Sequence, residues 1–165
     1  MAERLLRRET LGDMEAFWWL SEDGQVRLEL NPEGLEDGRR AKRQSDSLVQ
    51  VRLRGDAFPF GFAGGHTMRN GASIRRFRYE GQSEERGGDL TRVLTRLASP
   101  EGLVLLHTLT HRRGERGVEV STAFENRSDA AVTLEMLSSF SLSGITPYVE
   151  GDAPGSLVLH RLRSE

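Results

Sequence analysis

The sequence predicts an all-β fold, an antiparallel β-sandwich of two sheets, and three observations support that prediction. Short runs of residues alternate between apolar and polar side chains, which is the pattern of a half-buried strand. Glycine accounts for 18 of the 165 residues and falls between these runs, where it favours turns. No segment keeps a helical period over three turns. Because consecutive strands joined by short turns pair antiparallel, we expect two packed antiparallel sheets.

The first half of the chain contains the less regular strand patterns. Residues 1–8 are compatible with a short helical start, and SEDG at residues 21–24 and NPEG at residues 31–34 are turn signals. Between and after these signals the side chains follow the period of two that a strand requires. The predicted strands of this half are residues 16–20, 25–30, 47–54 and 73–79.

The second half of the chain repeats the same pattern with longer runs and short polar turns. The turns are SPEG at residues 99–102, RRGERG at 112–117 and NRSD at 126–129. The runs are rich in Val, Thr, Leu and Phe, which fit a pleated sheet. The predicted strands of this half are residues 91–99, 102–111, 117–126 and 130–144.

The composition indicates one domain, residues 1–165, and excludes several classes of function. A net charge of −2 provides no field that would gather nucleic acid or an anionic membrane. Residues 33–47 include four basic side chains, but their acidic neighbours cancel that charge, so we expect a solvated loop rather than a nucleic-acid site. The absence of cysteine excludes disulfides and thiolate-ligated zinc. With no signal peptide or membrane helix, a cytoplasmic location is expected.

The residue patterns of common active sites and metal sites are missing from the sequence. His107 and His111 have a spacing that suits a metal on a helix, but their strand pattern separates them by roughly 13 Å. We therefore interpret both as histidines of a strand surface. There is no nucleophile elbow or phosphate-binding loop, and no acidic pair is spaced for glycoside hydrolysis. The sequence predicts no catalytic residue, no metal site and no cofactor.

One loop has the composition of a binding site. Residues 58–73, FPFGFAGGHTMRNGAS, combine three phenylalanines and several glycines with His66, Met68, Arg69 and Asn70. These side chains include donors and acceptors suited to hydroxyl groups, and Arg69 could hold a carboxylate. The alternative is structural: Asn70 and Gly71 would form a hairpin turn, with Arg69 on the surface and the aromatic side chains in the core.

Trp18 and Trp19 are a second pair of candidates. Adjacent residues of a strand point to opposite faces, so we expect one tryptophan to be buried and the other to be more exposed. An exposed tryptophan can stack on a sugar ring or cover an interface with another domain or subunit. The interface is the preferred interpretation, because the sequence offers only one such side chain for each face.

The order of segments in the second half resembles a known family. FENRSDAAVTLEMLSSFSLSGITPY at residues 124–148 and EGDAPGSLVLHRLRSE at 150–165 are similar to the N-terminal domain of family 36 glycoside hydrolases, the α-galactosidase (melibiase) type. HTMRNGAS at residues 66–73 also resembles part of that domain. The resemblance covers most of the second half and the first half loosely.

The resemblance implies a particular architecture and role. The N-terminal domain of such enzymes is a β-supersandwich, similar to galactose mutarotase, and it precedes a catalytic (β/α)8 barrel whose aspartates perform the chemistry. By this resemblance the chain would be a non-catalytic first domain, partnered by the barrel, by further copies in a homo-oligomer and, through the whole enzyme, by an α-galactoside. The loop with Arg69 and Asn70 would contact the neighbouring subunit or the rim of the sugar pocket. The alternatives are a free-standing carbohydrate-binding sandwich and a protein-interaction sandwich.

Overall fold

The structure is a computed structural model that describes residues 3–34, 46–57 and 69–142, and this part of the chain is all-β. Its sheets are antiparallel throughout, so the prediction of an all-β, sandwich-like fold is confirmed. One short 3-10 turn, Ile74–Arg76, interrupts the strands. The strands are β1 Arg4–Leu11, β2 Met14–Leu20, β3 Val26–Pro32, β4 Val51–Leu53, β5 Arg78–Gly87, β6 Leu90–Ala98, β7 Leu103–Arg112, β8 Val118–Asn126 and β9 Leu134–Leu137.

The first sheet has the order β1-β2-β3, and its central strand carries the two tryptophans. Trp18 pairs with Leu28, and Trp19 pairs with Arg27. Directly paired residues share a face of a sheet, so Trp18 lies on an apolar face and Trp19 on a charged one. Only the face with Trp18 joins the hydrophobic core.

The second large sheet has the order β5-β6-β7-β8, and its strands are joined by tight turns. The turns that join β6 to β7 and β7 to β8 occur where the sequence predicts them, and Gly102 in the first of these has a φ of 91°. A β-carbon at this glycine would lie 3.3 Å from backbone atoms of Arg127 and Ser128, so the turn requires glycine in both conformation and space. A small third sheet pairs β4 with β9.

The hydrophobic core contains buried side chains from all three sheets. The largest fully buried side chains include Trp18 and Leu28 from the first sheet, Val51 from the small sheet, and Leu105 and Leu109 from the four-stranded sheet. The alternating burial of β7 puts its odd-numbered residues on the core side. The core therefore lies between the inner faces of the sheets, as in a sandwich.

Two local predictions in the first half are wrong. Residues 4–8 are not helical, because Arg4–Leu11 form β1, whose charged side chains bind residues of other strands, such as Gln82 of β5 for Arg7. Residues 73–77 are not a strand, because the 3-10 turn intervenes. Ile74 and Phe77 are both 1% exposed, and a spacing of three places both side chains on the same side of such a turn. In a strand the same spacing would direct them to opposite faces.

Two further strands are shorter than predicted, and a third, β5, was not predicted as a strand. β4 occupies only Val51–Leu53, and β9 only Leu134–Leu137. The flanking residues still form hydrogen bonds outside the regular ladder: the Ser138 backbone amide donates to the Gln50 carbonyl oxygen at 2.9 Å. β5 was not expected, because its sequence RYEGQSEERG has no apolar alternation. It is an edge strand held by cross-strand ion pairs such as Arg96–Glu80, at 2.6 Å.

Candidate functional site

The strongest polar site in the described residues is a cluster of four side chains, Asp46, Gln50, Arg69 and Asn70, which we call the Asp46 cluster. Asp46 and Gln50 lie just before β4, and Arg69 and Asn70 lie just before the 3-10 turn. Asn70 has a φ of 50°, a left-handed conformation that asparagine tolerates better than most residues. Asn70 is thus a turn residue, but the chain continues into the 3-10 turn and not into a two-residue hairpin.

The Asp46 carboxylate is the centre of the cluster. It is 6% exposed and accepts a hydrogen bond from the Asn70 side-chain amide at 3.1 Å, while the Arg69 guanidinium lies 3.2 Å from its other oxygen. The Asn70 backbone amide donates to the Gln50 side-chain oxygen at 2.7 Å. A buried carboxylate is tolerated only with such partners, so the contacts explain why Asp46 can be buried here.

The loop residues predicted as a binding site thus divide into two groups. Arg69 and Asn70 are brought together, but both bind Asp46 of their own chain. His66 and Met68 lie outside the described residues. The cluster can fix the start of the 3-10 turn against the segment that leads into β4, and the Arg69 side chain is 43% exposed. The sequence analysis did not predict Asp46 and Gln50 as site residues. Gln50 could have been noticed, because it is a polar residue within the apolar run LVQV.

Removing the Asp46 carboxylate should destabilise the fold. We expect Asp46→Ala to lower the free energy of unfolding by about 1–3 kcal/mol, because the Asn70 amide and Arg69 guanidinium lose their buried acceptor. Arg69→Ala should cost less, because Asp46 keeps the hydrogen bond from Asn70 and the Arg69 side chain is partly exposed. Urea denaturation of the two variants measures the difference. Equal costs for the two substitutions would show that Asp46 does not organise the cluster.

Both tryptophans are buried, which corrects the expectation that one would be exposed. Trp18 is 0% exposed and Trp19 is 6% exposed. The face of Trp19 is covered because the neighbouring side chains fold over it: the Arg27 guanidinium lies 5.7 Å from its ring centroid, and Phe17 stacks beside it at 6.4 Å. Its indole N–H donates to Glu29 at 2.9 Å. Neither tryptophan therefore offers a free ring face for a sugar.

The two histidines of β7 are also buried, so the interpretation as surface histidines is wrong. His107 is 0% and His111 is 7% exposed, because β7 is an inner strand whose odd-numbered side chains face the core. His111 lies 2.9 Å from the Glu115 carbonyl oxygen. His107 pairs across the sheet with Thr95 and Thr122, yet neither ring nitrogen has a hydrogen-bond partner within the described part of the chain. Burial lowers the pKa of His107 from 6.5 to about 4.

The described ranges contain no group of three potential metal-ligating side chains, and none of their helical segments has the length and apolar character to cross a bilayer. Comparison of the chain with protein-family models, with curated proteins and with solved structures found no match.

Proposed function

We propose that the chain is a non-catalytic β-sandwich domain of an α-galactosidase-like glycoside hydrolase. In this role it supports a catalytic barrel, takes part in subunit contacts and contributes to the rim of the sugar pocket. The proposal rests on the resemblance of residues 66–73, 124–148 and 150–165 to the N-terminal domain of family 36 enzymes. The all-β, antiparallel architecture of the described residues is compatible with that origin.

The supporting role is favoured by one observation: side chains that could bind a ligand make contacts within the chain instead. Trp18 packs in the core, and Trp19 is covered by Arg27 and bound to Glu29. Asn70 binds Asp46 and Gln50 within the same chain. These contacts stabilise a scaffold, whereas a carbohydrate-binding sandwich would present aromatic faces to solvent. We therefore favour the supporting domain over the free-standing sugar-binding module.

Two measurements on the purified chain test the proposal. With a chromogenic α-galactoside, we expect no turnover above the buffer control, because the resemblance assigns the catalytic aspartates to the barrel. In calorimetric titrations with galactose and with an α-galactoside disaccharide, we expect no saturable binding up to millimolar sugar. Turnover by the chain would contradict the non-catalytic role, and saturable binding would support the sugar-binding module in its place. A lectin with known galactose affinity serves as the positive control.

A further inference from the structure

Asn70 is followed by Gly71, and this dipeptide has the chemistry of a spontaneous modification. Asparagine is a thermolabile residue, because the carbonyl carbon of its side chain, Cγ, can be attacked by the backbone nitrogen of the residue that follows. A side chain on that next residue crowds the attack, and glycine has none. The chain contains three asparagines, and only Asn70 precedes a glycine.

The other two asparagines differ from Asn70 at the nitrogen that would attack. Asn31 precedes Pro32, whose ring nitrogen carries no hydrogen to lose. Asn126 precedes Arg127, whose long side chain crowds the backbone nitrogen. The Asn126 side chain is also held in a turn, where its amide donates to a backbone carbonyl oxygen at 2.8 Å. The chemistry therefore singles out Asn70.

Both reacting groups of the dipeptide are accessible. Asn70 and Gly71 are half-buried, and a β-carbon at Gly71 would meet no atom of the described residues within 4 Å beyond its chain neighbours. Within the same part of the chain the Gly71 backbone amide donates to no acceptor, so no hydrogen bond has to break before its nitrogen reacts. The Gln50 side-chain amide lies 3.5 Å from Asn70 Oδ1, the oxygen on which negative charge develops when Cγ is attacked.

We propose that Asn70 is a modification site, at which the chain deamidates through a cyclic imide with Gly71. The Gly71 nitrogen loses its proton and forms a bond to Asn70 Cγ. The bond from Cγ to the side-chain nitrogen breaks, and that nitrogen leaves as ammonia with the proton. Water then opens the imide. Hydrolysis at Cγ leaves an aspartate at position 70, and hydrolysis at the backbone carbonyl carbon leaves an isoaspartate, in which the main chain runs through the former side chain.

The product brings a second negative charge to the Asp46 cluster. In the unmodified chain the Asn70 side-chain amide donates to Asp46 Oδ1 at 3.1 Å. A carboxylate in its place can only accept, so this hydrogen bond is lost and two negative charges face each other. One guanidinium, that of Arg69 at 3.2 Å from Asp46, is left to balance both. Deamidation therefore opens the contact that fixes the start of the 3-10 turn. This inference stands apart from the proposed function.

Peptide mapping by mass spectrometry tests the modification. The folded chain is incubated in mildly alkaline buffer, where the backbone nitrogen loses its proton more readily, and a portion kept frozen is digested in parallel. Each asparagine falls in its own tryptic peptide. The peptide with Asn70 should gain about 1 Da, because a hydroxyl replaces an amino group, and should separate into aspartate and isoaspartate forms. The peptides with Asn31 and Asn126 should keep their masses. Gly71→Ala should slow the gain several-fold at an unchanged melting temperature, since its β-carbon meets no neighbour.

Three variants test the consequence for the fold. Asn70→Asp supplies the aspartate product directly and should lower the melting temperature by about 2–4 °C or more. The exchanged pair Asp46→Asn/Asn70→Asp again has one amide facing one carboxylate, and it should recover a large part of that loss. Asn126→Asp is the matched control: it makes the same chemical change at an exposed turn away from Asp46 and should have a smaller effect.

An unchanged mass at Asn70 after incubation would overturn the inference, and so would a Gly71→Ala chain that deamidates as fast as the wild type. The opening of the cluster is contradicted if Asn70→Asp melts at the wild-type temperature. It is equally contradicted if the exchanged pair is no more stable than Asn70→Asp alone, because the loss would then not arise from the contact with Asp46.

Discussion

Replacing Trp18 with alanine is expected to lower the free energy of unfolding by about 3–5 kcal/mol, the usual cost of removing a fully buried aromatic side chain. Trp18 is 0% exposed and lies in the core together with Leu28 and Val26. The indole leaves a cavity that the central strand of a three-stranded sheet cannot close without disturbing both neighbours. Chemical denaturation followed by circular dichroism measures the loss.

A pair of phenylalanine substitutions separates the two tryptophans. The Trp18 indole N–H has no hydrogen-bond partner within the described ranges, so Trp18→Phe removes an unpaired donor and should change stability by no more than about 1 kcal/mol. Trp19→Phe loses the hydrogen bond to Glu29 and should cost about 1.5–3 kcal/mol. A larger cost for Trp18→Phe than for Trp19→Phe would contradict the assignment of Trp18 to an unpaired core position.

Stability should fall by about 3 kcal/mol as the pH decreases from 7 to 4, because His107 is buried without a partner for its charged form. Its folded pKa of about 4 lies below the ordinary 6.5, so the unfolded chain takes up the proton first. The contribution of the neutral His107 side chain to the free energy of unfolding is fully present above about pH 6.5. It falls as the pH decreases between the two pKa values and levels off below about pH 4.

Substitution of His107 with leucine isolates this effect. His107→Leu should be at least as stable as the wild type at pH 7 and should lose most of the decline between pH 7 and 4. Asp89 and Glu101 have lowered pKa values, through hydrogen bonds to Arg112 and to Ser99 respectively, so their contribution is lost only as the pH falls through those values. That loss is common to both proteins and cancels in the comparison. Parallel stability curves for His107→Leu and wild type would contradict the account.

The sequence predicts the all-β class because apolar and polar residues alternate along the strands whose inner faces form the core of the four-stranded sheet. In β7 the core side reads Leu103, Leu105, His107, Leu109 and His111, and the turn signals on either side fix the strand ends. β5 lacks this signal because an edge strand can be held by ion pairs with its neighbour, as Glu85 is with Arg92.

Burial of polar and aromatic side chains depends on tertiary neighbours that alternation does not reveal. Trp19 is buried because Arg27 and Phe17 lie against it on the charged face of the sheet. Asp46 and Arg69 are 23 residues apart, so only the folded chain shows that they form one cluster. The candidate residues Arg69 and Asn70 could thus be chosen from the sequence, whereas their use as internal contacts could not.

The central claim is that this chain serves as the supporting domain of a larger hydrolase, and capture from its source with an antibody to the chain tests that claim most directly. The account predicts a captured species several-fold heavier than the 18.5 kDa of the chain, whose peptides include a catalytic barrel and which releases galactose from an α-galactoside. A captured species of 18.5 kDa, without barrel peptides or galactosidase activity, would contradict it.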